Sequence, residues 1–254
     1  MLRAFAVTAA AATIAVAAFA QMPAPPAAEV EGQVADAANA FRAEHGLGAL
    51  SHNHLLAEEA RGFATYLATT GRFSHTADGR QPGQRAKAAG YDYCVLAENI
   101  AFEEGIEGFE AGRLTRLFMT GWEASPGHRR NLLDLDVSET GVGVARAPGP
   151  GRRYLAVQVF GRPASARYRF SVENRAEQPV GYTFDGDHRQ LAARSILVHD
   201  TCAIGNLVFD RDVRGEQTRF RVTPGATYVV SPAGVGLRIG VEHATRGADH
   251  GHED

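Results

Sequence analysis

The sequence is short of cysteine, of excess charge and of long apolar runs, and each shortage excludes something. Only two cysteines, Cys94 and Cys202, occur in 254 residues. That is too few for a disulfide-dense small fold or an all-cysteine zinc module. The formal net charge is -3 at pH 7, so there is no basic field for a phosphate backbone and nucleic acid is not an expected partner. Beyond the N-terminus no run approaches the ~20 apolar residues of a membrane span, so no transmembrane anchor is expected after processing. No Gly-x-Ser-x-Gly motif marks a nucleophilic serine. No Gly-rich loop opens a helix to cradle phosphate. Gly141 and Gly143 read instead as points of close packing or a bulge. What remains, 44% hydrophobic and 22% charged, is an ordinary globular composition.

The N-terminus is the exception. Arg3 precedes an uncharged, Ala-rich run at residues 4–20, which closes on Ala18-Phe19-Ala20, the small-x-small pattern of a signal peptidase site. Pro23, Pro25 and Pro26 then stop a helix from continuing. Residues 1–20 are therefore expected to be a signal peptide cleaved after Ala20, which places the protein in a periplasm or outside the cell. No cysteine closes the run, so a lipoprotein anchor is not supported. In an oxidising compartment Cys94 and Cys202 are expected to pair, the alternative being two buried thiols. Their wide spacing would let one bridge staple two domains.

Residues 21–30 read as a Pro/Ala linker. Apolar residues at three- and four-residue spacing predict helices over 31–45, 52–70 and 107–124, with a short one at 82–90 and another turn starting at His128. Gly46 and Gly71 are natural C-caps. Residues 73–82 are polar and glycine-containing, hence a loop. After Ser138 the period drops to two, predicting paired antiparallel strands at 140–144 and 154–160 around a turn at 147–151. Beyond 163 short alternating segments follow one another: 168–172, 180–184, 196–198, 207–209, 220–222, 228–230 and 237–241. They predict a small β-sandwich or barrel over 164–242. The fold class is α+β, a helical and sheet domain at 31–163 followed by an all-β domain. The tail 243–254 carries His243, His250 and His252 among acids and reads as a solvated segment.

Three residues of the first domain have side chains suited to chemistry. His75 lies in the polar loop, Glu98 in Glu98-Asn99-Ile100, read as an element end or turn, and His128 after Pro126-Gly127. Each has a plain alternative as a cap or turn residue. Together they sit in an ordered series: Arg42…His45-Gly46, Ser74-His75, Gly90-Tyr91, Glu98-Asn99-Ile100-Ala101, Trp122…Ser125-Pro126-Gly127-His128-Arg129…Asn131, Glu139…Gly141-Val142-Gly143-Val144 and Gln158-Val159-Phe160-Gly161. Across about residues 34–161 this series resembles the CAP superfamily, also called SCP or PR-1-like, in its bacterial secreted branch. The resemblance implies an α-β-α sandwich with a small antiparallel sheet between helices. It also implies a cleft lined by two histidines and two acids. His75, Glu98 and His128 match the first histidine, the first acid and the second histidine. The second acid would fall at Ser125. Glu123, one residue after Trp122, points about 100° away on a helix, and Glu139 belongs to the approach to a strand. Trp122 reads as a core anchor.

Two imidazoles and a carboxylate can hold Zn²⁺ or another divalent cation with a position open to water. The resemblance implies divalent metals in this cleft, and small ligands including lipids. The expected function is an exported binding protein acting on a small ligand, a lipid or an envelope component. A metal-assisted hydrolase of peptides or cell-wall material is the alternative, disfavoured by Ser125 in place of an acid. If the histidines and Glu98 only satisfy one another and the backbone, the domain is a rigid extracellular scaffold.

Overall fold

The computed structural model describes residues 24–106, 108–149, 152–210, 217–234 and 236–243. The expected signal peptide with its Ala20 cleavage site lies outside the described residues, as does the expected tail apart from His243. The linker expected over 21–30 is shorter than the sequence suggested, because helix α1 (Ala27–Glu44) begins at Ala27 with Pro26 as its N-cap. Ala27 and Ala28 favour helix, Glu29 complements the positive end of the helix dipole, and Val30 is fully buried. The apolar contact of that first turn extends the helix backwards.

The first domain continues with β1 (Ser51–His52), α2 (His54–Thr70), α3 (Pro82–Ala88), β2 (Tyr93–Gly105), α4 (Ala111–Ala124), α5 (Pro126–Leu132), β3 (Glu139–Arg146) and β4 (Arg152–Pro163). The sheet order is β1-β3-β4-β2. β3 and β2 flank β4 in antiparallel pairing, while β1 runs parallel to β3, so the sheet is mixed rather than purely antiparallel. The period-2 alternation of β4 sorts its side chains between two cores. Tyr154, Ala156 and Phe160 join Val34, Phe41, Phe118 and Trp122 of α1 and α4. Leu155, Val157 and Val159 join Leu56, Phe63 and Leu67 of α2. The result is an α-β-α sandwich.

Two further elements of this domain differ from expectation. Glu98 and Asn99 lie in the middle of a 13-residue strand rather than in a turn. Glu and Asn at adjacent buried positions hide the alternation, because here the buried polar groups are paired rather than solvated. Helix α4 starts at Ala111, not 107. Gly108 holds φ +89, outside helical backbone, and Glu110 is the N-cap.

Gly141 and Gly143 let α2 lie directly on β3. A Cβ on Gly141 would stand 2.1 Å from the Ala57 nitrogen, and one on Gly143 would stand 2.2 Å from the Ala60 carbonyl carbon. Both obstacles are backbone, so no side chain can swing aside.

A short 3-10 turn at Ala164–Ala166 leads into the β region: β5 (Tyr168–Asn174), β6 (Val180–Phe184), β7 (Asp187–Leu191), β8 (Ser195–Thr201), β9 (Asn206–Phe209), β10 (Thr218–Arg221), β11 (Ala226–Ala233) and β12 (Gly236–His243). Two four-stranded sheets, ordered β10-β9-β6-β7 and β12-β11-β5-β8, close on Phe170, Tyr182, Phe184, Phe209 and Tyr228. The polar strand β7 had no apolar alternation to reveal it. It forms because Asp185 and Gly186, at φ 52 and 78, make the positive-φ turn that folds it onto β6. Cys94 on β2 and Cys202 just after β8 form a disulfide, with Cα atoms 5.9 Å apart across 108 residues of sequence. Among the described residues no helix is long and apolar enough to cross a membrane.

The close approach of α2 to β3 yields a stability prediction. Gly143→Ala forces helix and strand apart and costs about 2–3 kcal/mol or more, read as a lower urea midpoint. Unchanged stability would mean that α2 does not pack on β3 at this point.

Candidate functional site

The site is organised by a side chain that has no chemistry of its own to offer. Helix α2 ends at Gly71 in the left-handed conformation, and the chain crosses to α3, where Pro82 occupies the first turn and Gln81 and Gln84 form a reciprocal cap. This short helix presents Arg85, only 4% exposed. Its guanidinium lies 3.5 Å above the Phe63 ring. Nε donates to Glu59 Oε1 at 2.7 Å. Nη1 donates to the His75 carbonyl at 2.9 Å, the Arg80 carbonyl at 3.1 Å and Asp78 Oδ1 at 3.2 Å. Nη2 donates to Glu98 Oε2. One cation thus binds α2, the crossing loop and β2 together.

Glu98 projects from β2 toward the α2 and α3 layer, beside buried Ile100. Its other oxygen, Oε1, meets Nδ1 of His75 at 2.7 Å. Both carboxylate oxygens are therefore engaged, and the side chain is 1% exposed against 47% for His75. His128 comes from α5, and its ring centroid stands 6.4 Å from that of His75. Asn99 and Asn131 fix its backbone: Asn99 Nδ2 donates to the His128 carbonyl at 3.2 Å, and Asn131 Nδ2 donates to Asn99 Oδ1 at 2.8 Å and to the Glu98 carbonyl at 3.2 Å. Trp122 is a core anchor, donating Nε1 to the Ile100 carbonyl at 3.2 Å. Burial, and secondarily the neighbouring His75, hold the His128 imidazole below the usual histidine range, which favours its neutral form near pH 7.

The structure thus brings His75, Glu98 and His128 into one cluster. Ser125 sits at the junction where α4 ends and α5 begins. Glu123 lies in the last turn of α4. Glu139 is used elsewhere, accepting from Tyr91 Oη at 2.6 Å and from Asn53 at 3.2 Å. Among the described residues no three His, Cys, Asp or Glu side chains are arranged to hold a metal ion. Glu98, expected from the sequence as a third ligand beside His75 and His128, has both oxygens hydrogen-bonded here, to Arg85 and to His75. Sequence reasoning missed Arg85 and Glu59. An arginine in a short polar helix reads as solvated, and nothing local reveals that three carboxylates converge on it.

A model of the cysteine-rich secretory protein family, CAP, matches residues 35–160. The Uncharacterized membrane protein YlbC of Bacillus subtilis (strain 168) is 33% identical over 119 residues, which is 46% of this chain and 32% of that protein. The match therefore spans about a third of that relative's length. Among solved structures, an outer surface protein from Borrelia burgdorferi aligns at 21% identity with a TM-score of 0.45, covering 53% of this chain and 93% of the other. An extracellular protein containing a SCP domain, from Bacillus anthracis str. Ames, aligns at 26% identity with a TM-score of 0.43, covering 54% and 41%.

Because Arg85 neutralises three buried or half-buried acids, Arg85→Ala is expected to destabilise the fold by about 3–5 kcal/mol, the usual cost of breaking a buried ion pair from one side. Arg85→Lys, which keeps the charge but not the fork, should recover only part of this. Urea unfolding measures both, and equal stability of Arg85→Ala and wild type would contradict the network.

Proposed function

Through residues 35–160 the chain belongs to the cysteine-rich secretory protein (CAP) family, and on that premise we propose that it is an exported binding protein whose His75–His128 pair takes a divalent cation, zinc being the natural probe. The observation that carries the reading is the His75–Glu98 bond. It ties up Nδ1 of His75 and leaves Nε2 as the free nitrogen of that ring. A carboxylate on the far nitrogen of a histidine orients the ring and raises its basicity for a metal. With Zn–N bonds near 2.0–2.1 Å and a tetrahedral angle, two imidazole centroids stand about 5 Å apart on one ion, so the rings, now 6.4 Å apart, would close by about 1 Å on binding it. Glu98 positions rather than ligates. Water or a donor from a bound partner would complete the coordination.

A small apolar or lipid ligand is the second reading. Phe73, two residues before His75, meets Phe102 edge to face at 5.0 Å, and the two are 40% and 43% exposed. The hydrolase alternative has less support, since the Glu98 side chain is only 1% exposed and both its oxygens already take part in hydrogen bonds.

Titration calorimetry of the mature protein with zinc tests the metal reading. One site of micromolar to submillimolar affinity is expected, roughly what two imidazoles can sustain, and it is lost in His75→Ala and His128→Ala. Absence of binding at submillimolar zinc, or heats unchanged in both variants, would end this reading. Peptide or peptidoglycan turnover that disappears in Glu98→Gln would revive the hydrolase.

Export is supported by the apolar run at residues 4–20 and by the disulfide, which belongs to an oxidising compartment. The mature protein is expected to begin at Gln21. An intact mass that retains residues 1–20 would contradict this.

A further inference from the structure

A cavity lies beside Arg85, between α2, the crossing loop and α3. Its volume is about 370 Å³, and its lining includes Glu58, Glu59, Phe63, Tyr66, Asp78 and Arg85. It holds none of the three residues of the candidate site. Glu59 carries the chemistry here. Its side chain is 3% exposed, Oε1 accepts from Arg85 at 2.7 Å, and Oε2 has no hydrogen-bond partner among the described residues. A buried carboxylate oxygen without a donor is costly and rare in a folded protein.

The other charges leave this demand unmet. Asp78 is satisfied by Arg80 at 2.9 Å and by Arg85 at 3.2 Å. Arg85 is divided among Glu59, Asp78 and Glu98. Glu58 adds a further carboxylate to the lining. The acids around the cavity thus outnumber the two arginines. Burial pushes the Glu59 carboxyl up to about 7, the behaviour of an acid short of a compensating cation. The remaining walls are apolar: Ala88 and Ala89 of the α3 end, with Phe63 and Tyr66 of α2, whose rings are nearly parallel with centroids 6.4 Å apart.

The geometry points to a binding site for an alkylammonium group, such as a lysine side chain or a small aliphatic amine, with the ammonium at Glu59 and the aliphatic stem along Phe63 and Tyr66. An ammonium supplies both the missing donor and the missing charge, and its aliphatic stem is covered by the apolar wall beside it. This inference is independent of the metal reading and stands or falls without it.

The test uses n-butylammonium chloride as probe and n-butanol, its neutral counterpart, as control, followed by amide NMR of the mature protein. Saturable shifts at Gly62, Ala88 and Ala89 are expected, with an affinity on the order of millimolar for so small a ligand and at least about tenfold weaker binding of butanol. Glu59→Gln keeps an acceptor for Arg85 and should weaken butylammonium about tenfold. Gly62→Leu guards against a folding defect. Gly62 lines the cavity, a Cβ there meets nothing within 4 Å, and leucine favours helix. This variant should fold at least as stably as wild type and lose the probe. Butanol binding as well as butylammonium, undiminished binding in Gly62→Leu, or no shift at these amides would each overturn the assignment.

Discussion

The rest of the site depends on one buried cation. Arg85 is held over Phe63 and donates to three carboxylates and two carbonyls drawn from α2, the crossing loop and β2. Burial by itself would lower its proton affinity, but Glu98 and Glu59 more than offset that. A charge placed this way stabilises only while every partner stays in place, since losing one leaves an uncompensated ion in a poorly solvated interior. The constraint therefore works as a positional lock. The crossing loop has little apolar surface of its own, and its bonds to Arg85 set the height at which His75 stands.

The two halves of the site come from opposite layers of the sandwich. His75 reaches Glu98 on the α2 and α3 side of the sheet. His128 rides on α5, which follows α4 on the other side, and Asn99 and Asn131 tie it to the adjacent residue of the same strand. β2 is the edge strand of its sheet, so the rings of the two histidines can meet beyond its rim. Successive side chains of a strand point to opposite faces, and for this reason the neighbours Glu98 and Asn99 serve one histidine each, Glu98 at the His75 ring and Asn99 at the His128 backbone carbonyl. The same strand carries Cys94, whose disulfide joins it to the β-sandwich. In the chain-entropy picture a bridge closing so long a loop stabilises by roughly 4–5 kcal/mol.

The architecture of the helices and of β3 and β4 was legible in the sequence, because apolar spacing and glycine caps are local signals. The glycines of β3 were legible too, as points of close approach, and the structure shows α2 backbone against both. Strand β2 was not, since its two central polar residues interrupt the alternation. Strand β7 had a local signal in Asp185-Gly186, but its polar residues outweighed it. For the site, the identity of His75, Glu98 and His128 was readable only through the order of the family's motifs. Their roles were not. Glu98 was expected to be a ligand, and the structure shows its two oxygens bonded to Arg85 and His75.

Composition and pattern alone thus determined the fold class, the polar loop that carries His75, the pair of cysteines able to bridge, and an N-terminal run suited to export. These follow from period, cap chemistry and residue type, which act over a few neighbouring positions. Tertiary structure decided which of those residues meet, which carboxylate oxygens are already spent, and where an unsatisfied one remains at Glu59. Those outcomes depend on burial and on partners distant in the chain, such as Glu59, Asp78 and Glu98 around Arg85. A desolvated charge takes whatever partners the packing brings to it, and no local spacing records that choice.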